Sequence, residues 1–194
     1  MRSDLFKFSN KIQWSIQVFL VIMIIGVFLS SNLHAKTAKE IDASVDAAIE
    51  RFYKQVKGAK EYVEKSKGML VMPNVVKGAF IIGGEYGEGA LRVGGKSVDY
   101  YNTISGSIGF QIGGQAKDII LLFMTDEALK QFRASKGWEA GVDGNVALIT
   151  VGAGERADTR TLKDPILGFV FDAKGLIVDI SLKGAKFTKV DKKE

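Results

Sequence analysis

The stretch Ala90-Leu-Arg-Val-Gly-Gly-Lys-Ser97 differs by one residue from the phosphate-cradling pattern G-x-x-x-x-G-K-S. That loop works when a strand runs into it and a helix opens at its Lys-Ser, aiming backbone N–H groups at the phosphates. Here Ala90 removes the first glycine. The residues that follow, Val98-Asp-Tyr-Tyr-Asn-Thr-Ile104, are aromatic and β-branched, which is strand chemistry. With no helix dipole to supply, nucleotide binding is not expected. Gly94-Gly-Lys-Ser97 reads instead as a turn joining two antiparallel strands.

The other residues able to do chemistry are few. The chain has no cysteine and one histidine, His34. If the segment holding His34 is removed, no Ser–His or Cys–His nucleophile pair can form, nor a zinc site built on His or Cys. Carboxylates remain: Glu85, Glu88 and Asp118 are the candidates for a hydrolase. Glu85 and Glu88 are three apart in a strand region and point to opposite faces unless the glycines around them form a turn, which argues against a cooperating acid pair. The expectation is therefore a non-enzymatic protein with no catalytic residues, no metal and no cofactor.

Residues 1–35 read as a secretory signal peptide. Arg2, Lys7 and Lys11 precede the apolar run Val18–Leu29, and Ser-Ser-Asn-Leu-His-Ala35 follows. The run is twelve residues, where a membrane span needs roughly twenty. Cleavage after Ala35 is expected, giving a periplasmic or secreted chain. Leu33 is bulky for a cleavage site and keeps an inner-membrane anchor open as the alternative. Loss of this segment removes three cations and Asp4, so the formal charge falls from +5 to +3. That is too little to argue for nucleic acid.

The elements that must position any site follow from periodicity. Residues 38–66 read as one amphipathic helix, with Ile41, Val45, Ala48, Ile49, Phe52, Tyr53, Val56, Ala59, Tyr62 and Val63 on its apolar face. Thr37-Ala-Lys-Glu40 is a capping box, and Gly68 stands where a helix-ending glycine belongs. From Arg51 to Lys67 six basic residues face only Glu61 and Glu64. This is either ordinary capping and solubility or attraction to an anionic surface.

After Gly68 the texture becomes strands punctuated by glycine. Thr103 to Ile112 alternates strictly, and Asp118-Ile-Ile-Leu-Leu-Phe-Met124 is a run buried on both faces. Thr125 caps a short helix over about 126–134. Asn145–Val151, Ile166–Phe171 and Leu176–Leu182 are further strands, the last two joined by the hairpin turn Asp172-Ala-Lys-Gly175. Glu155–Thr161 is a polar surface loop. Lys189, Lys192 and Lys193 fall in a carboxy-terminal tail expected to be mobile. The fold class is α+β: a long N-terminal amphipathic helix on a bent, glycine-rich antiparallel sheet or partial barrel, with one short helix.

Val76-Lys-Gly-Ala-Phe-Ile-Ile-Gly-Gly-Glu-Tyr-Gly-Glu-Gly89 runs a lysine into an apolar strand and then into spaced glycines. Read alone, it is a glycine-kinked strand in a strongly bent sheet. Together with Ser66-Lys-Gly-Met-Leu-Val-Met-Pro73 ahead of it, it resembles the SYLF lipid-binding domains. The likeness continues through Gly106, Gly113-Gly114, the Asp118 run with its short helix, Gly144-Asn145 and the final hairpin, so that it covers roughly residues 60–190. The exported bacterial branch is the nearest likeness, making 36–194 one SYLF-like domain.

The resemblance implies binding of acidic phospholipids. Phosphoinositides are the ligands of eukaryotic relatives, some of which act on actin; neither is expected of an exported bacterial chain. The physical idea that carries over is an amphipathic helix and a basic patch meeting an acidic membrane surface. Lipid headgroup attraction is worth about 1 kcal/mol per well-placed cation. The candidate cations are Lys65, Lys67, Lys77, Arg92 and Lys96. The alternative is a cell-envelope structural or protein-interaction module without lipid specificity, whose protein partner the residues do not identify.

Overall fold

Thr37 starts the first helix as a full capping box: its side-chain oxygen accepts from the Glu40 N–H, while the Glu40 carboxylate accepts from the Thr37 N–H at 2.8 Å. These hydrogen bonds hold the Glu40 carboxyl below its usual range. The computed structural model describes residues 36–77, 84–106, 116–149, 163–172, 175–176 and 182–192. The expected signal peptide, the 155–161 loop, Lys193 and Gly113-Gly114 lie outside them. Residues 36–194 form one compact unit. Among the described residues no helix is long and apolar enough to cross a membrane.

The helix expected over 38–66 is two helices. α1 spans Ala38–Gln55 and α2 spans Ala59–Lys65, broken at Gly58, whose φ of 82° lies in the left-handed region. The apolar stripe survives the break. Ile41, Val45, Ala48 and Phe52 are fully buried, and Ala59 and Tyr62 continue the same cluster.

Among the described residues nine strands form one sheet: β1 (Gly68–Lys77), β2 (Gly84–Val93), β3 (Lys96–Gly106), β4 (Lys117–Phe123), β5 (Trp138–Glu139), β6 (Ala147–Leu148), β7 (Ile166–Asp172), β8 (Gly175–Leu176) and β9 (Lys186–Val190). The order is β5-β9-β3-β2-β1-β4-β7-β6, with β8 hydrogen-bonded to β7 through the expected hairpin. All pairings are antiparallel except β6 with β7. The sheet is therefore mixed rather than wholly antiparallel. β5 and β6 close its two ends yet are separated only by residues 140–146, so the sheet must curl until its ends approach. Trp138 of β5 and Ile166 of β7 both lie against Gly144 in that connection.

The curl creates two cores. Outside it, α1 and α2 cover Met69, Val71, Ile120, Leu122, Phe169 and Phe171. Inside it, Leu70, Met72, Leu91, Tyr101, Leu121 and Phe187 pack together. β1 and β4 contribute alternate residues to both cores, which is why Asp118–Phe123 reads as an unbroken apolar run. α3 (Asp126–Ala134), capped by Thr125, inserts Phe132 into the inner core against Tyr101, Phe123 and Trp138 at ring separations of 4.8, 4.7 and 5.5 Å.

The bend of β1 has a local cause. The register with β4 shifts between Met72 and Val75, around Pro73 and Asn74, and Asn74 takes a φ of 53°. The Asn74 N–H donates to Asp118 Oδ1 at 2.9 Å, and Asp118 Oδ2 accepts from Arg51 Nε at 2.7 Å. A single buried carboxylate thus ties the kink of β1 to α1.

Candidate functional site

The near-miss phosphate loop is a hairpin turn. β2 ends at Val93 and β3 begins at Lys96, with Gly94 and Gly95 at φ 58° and 80°, both left-handed, as a two-residue type I′ connection requires. A strand follows the turn, so no helix opens at its Lys-Ser.

That turn marks one end of the sheet, and the register assigns the candidate cations to its ends. Met69 pairs with Arg92 and Gly68 with Phe123, and the Lys67 N–H donates to the Phe123 carbonyl at 2.7 Å. Lys65 closes α2 just before this point. Lys65, Lys67, Arg92 and Lys96 therefore gather at one end of the sheet. Lys77 sits at the other end of β1, ten residues along the strand and about 30 Å away by strand rise.

The four gathered cations are not equivalent. Arg92 is 14% exposed and reaches across to α1, where it meets Asp46 at 2.7 Å and Asp42 at 3.6 Å. Asp42 also accepts from Ser97 at 2.6 Å and from Tyr100 at 3.0 Å. Burial first, and then Asp42, push the Tyr100 phenol up, so it remains a donor. Arg92 is accordingly a latch between the hairpin and the helix, with its charge spent on two acids. Lys65 is exposed and pairs with Glu61 at 2.8 Å, one helical turn away. Lys67 is exposed, with Asp126 at the long distance of 3.9 Å. Lys96 is exposed and makes no ion pair among the described residues. Exposed pairs of this kind hold their partners weakly and exchange them readily. Lys65, Lys67 and Lys96 are therefore the cations of this end that an external anion can reach.

α1 does not offer its apolar face to a membrane. Ile41, Val45, Ala48 and Phe52 are sealed against the sheet, so apart from the exposed Tyr53 the outward side of the helix is polar. The amphipathic pattern is a core-packing pattern here.

The carboxylates considered for hydrolysis are each engaged by partners of their own. Glu85 accepts from Lys117 at 2.7 Å and Ser105 at 3.1 Å. Glu88 accepts from Lys192 at 2.6 Å, Tyr86 at 3.1 Å and the backbone N–H of Lys36 at 3.3 Å. Burial, with Glu88 beside it, pushes the Tyr86 phenol up to about 12. Asp118 serves Arg51 and Asn74. No two of the three carboxylates share a partner.

The carboxy-terminal segment departs most from expectation. It is strand β9, paired with β3 on one side and β5 on the other. Lys189 and Arg133 both pair with Asp99, Arg133 at 2.8 Å. Lys192 is 8% exposed on Glu88. Lys189 and Lys192 are thus structural rather than residues of a mobile tail. Phe187, Thr188 and Val190 are the strand formers among its charges.

Residues 104–194 match the model of the Ysc84 family, described as Las17-binding protein actin regulator. This is the SYLF family, and the match spans just under half of the chain. No curated protein matches the chain. The SYLF match holds the end of β3, all of β4, α3 and β5 to β9, and so both ends of the curled sheet. The candidate cations Lys65, Lys67, Lys77, Arg92 and Lys96 precede it. The family resemblance therefore identifies the scaffold, and the cationic end of the sheet stands on its own geometry.

Proposed function

We propose that this chain is an exported, non-enzymatic domain that binds acidic phospholipid surfaces through the sheet end carrying Lys65, Lys67 and Lys96. The observation that carries the reading is the contrast in how charges are spent. The buried carboxylates and Arg92 are committed to internal partners, whereas these three lysines are outward and weakly held. The SYLF family is associated with lipid binding and with protein interaction. Anionic headgroups need no shaped pocket, only several cations presented together, each worth about 1 kcal/mol near the surface. Because the apolar stripe of α1 is sealed, binding is electrostatic and peripheral. Lys77, at the far end of β1, takes no part in it, and Arg92 acts by holding the hairpin in place.

The test is a charge-matched comparison on vesicles containing anionic lipid. K65Q/K67Q/K96Q should lower the vesicle-bound affinity on the order of a hundredfold, from about 3 kcal/mol of lost attraction. K136Q/K183Q/K186Q removes the same charge beside β5 and β9 and should weaken binding far less. Equal losses would mean attraction to net charge alone. Unchanged binding in the first variant would refute this surface and favour the envelope protein-interaction reading.

A further inference from the structure

The backbone N–H of Lys36 points at a buried carboxylate. Lys36 opens the compact unit Lys36–Glu194, one residue ahead of the Thr37 cap. Its nitrogen lies 3.3 Å from Glu88 Oε2. Glu88 is only 8% exposed, and its other oxygen is already taken by Lys192 and the Tyr86 hydroxyl. Among the described residues Oε2 has one long contact, from a peptide N–H. That is a thin partner for a buried carboxylate, which normally collects charge-assisted bonds.

We propose that cleavage of the Ala35–Lys36 peptide bond turns this nitrogen into an α-ammonium seated on Glu88, making the mature amino terminus an ion-paired part of the fold. Water is consumed: the Ala35 carbonyl leaves as a carboxylate, and the Lys36 nitrogen gains the protons of an ammonium group. The new group keeps the position of the old amide, so its contact with Oε2 needs no rearrangement. It adds donors and a full positive charge where the amide offered a single N–H. A free cation there is otherwise unfavourable, because it stands two residues before α1, beside the positive end of the helix dipole. Glu88 offsets that repulsion. Glu88 comes from β2, so the seat would pin the entry to α1 against the sheet and couple processing of the chain to docking of its first helix. The proposal rests on the export reading, and the two are tested by different readouts.

The full chain is expressed in a secreting bacterial host, and the product is analysed by intact mass and amino-terminal sequencing. It should begin at Lys36; a chain that keeps residues 1–35 or begins elsewhere overturns the proposal at the export step. The Lys36 α-amine is then acylated under native conditions at neutral pH, with its rate followed by peptide mapping. Seating on Glu88 raises the amine pKa, and one unit lowers the reactive neutral fraction about tenfold. The wild-type amine should therefore react about tenfold more slowly than that of E88Q. A variant with one serine inserted between Ala35 and Lys36 moves the ammonium off Glu88 while leaving Glu88 intact, and its terminus should also react fast. This second variant decides the matter if E88Q fails to fold. Equal rates in the wild type and the insertion variant would overturn the seat even where cleavage at Ala35 is found.

Discussion

Gly89→Ala should abolish cooperative folding or lower stability by at least about 3 kcal/mol, beyond the usual cost of overpacking a core. A Cβ at position 89 would lie 1.9 Å from the Val71 carbonyl oxygen and 2.9 Å from the Met72 Cα. Both are backbone atoms of β1 and cannot rotate away. Either β1 and β2 separate at the centre of the sheet, or the side chain is accommodated by unpairing. With total stabilities of about 5–15 kcal/mol for native proteins, that is a large share. Gly106→Ala is the control, because a Cβ there meets nothing within 4 Å and the backbone is not left-handed. Urea titration followed by circular dichroism should show Gly106→Ala close to wild type. A Gly89→Ala midpoint close to wild type would contradict the account of why this strand needs glycine.

Phe52→Ala is the second large effect, about 3–5 kcal/mol for a fully buried aromatic side chain. Phe52 stands edge-on to Phe169 at 4.9 Å and stacks with Phe171 at 5.9 Å, both from β7. It is the deepest anchor of the carboxy-terminal half of α1. Loss of that ring should loosen α1 and uncover Ile41, Val45 and Ala48. The functional signature is therefore a change in kind as well as a loss of stability. The variant should gain salt-insensitive association with neutral vesicles, which is not expected of the wild-type protein while the stripe is sealed. An intact, stable protein with unchanged vesicle behaviour would show that α1 is held by something other than this aromatic contact.

The parts of the fold that were legible in the sequence are those where one physical demand dominates. The capping box at Thr37, the doubly buried run in β4, the Gly94-Gly95 hairpin and the Asp172–Gly175 turn each follow from a local rule. The break at Gly58 was hidden because the apolar stripe continues through it: Val56, Ala59 and Tyr62 remain buried on the same side. β9 was hidden for the opposite reason. The charges of Lys189 within it and of Lys192 just beyond it are answered by Asp99 and Glu88, acids distant in sequence. The candidate site was legible as composition and illegible as geometry. Nothing local distinguishes Arg92, latched to Asp42 and Asp46 on another element, from Lys96, which faces outward. Nor does a single strand reveal that Lys67 and Lys77 lie at its opposite ends. Long-range pairing and register decided both.

The central claim is electrostatic attraction to an anionic lipid surface, and vesicle flotation across lipid charge and salt tests it most directly. The protein secreted from the full chain is mixed with neutral vesicles or with vesicles carrying anionic phospholipid, at low and at molar ionic strength. The account predicts flotation with the anionic vesicles at low salt, little with the neutral ones, and release at molar salt, where the screening length shortens to about 3 Å. Salt-insensitive flotation with neutral vesicles, or no flotation with either, would contradict it.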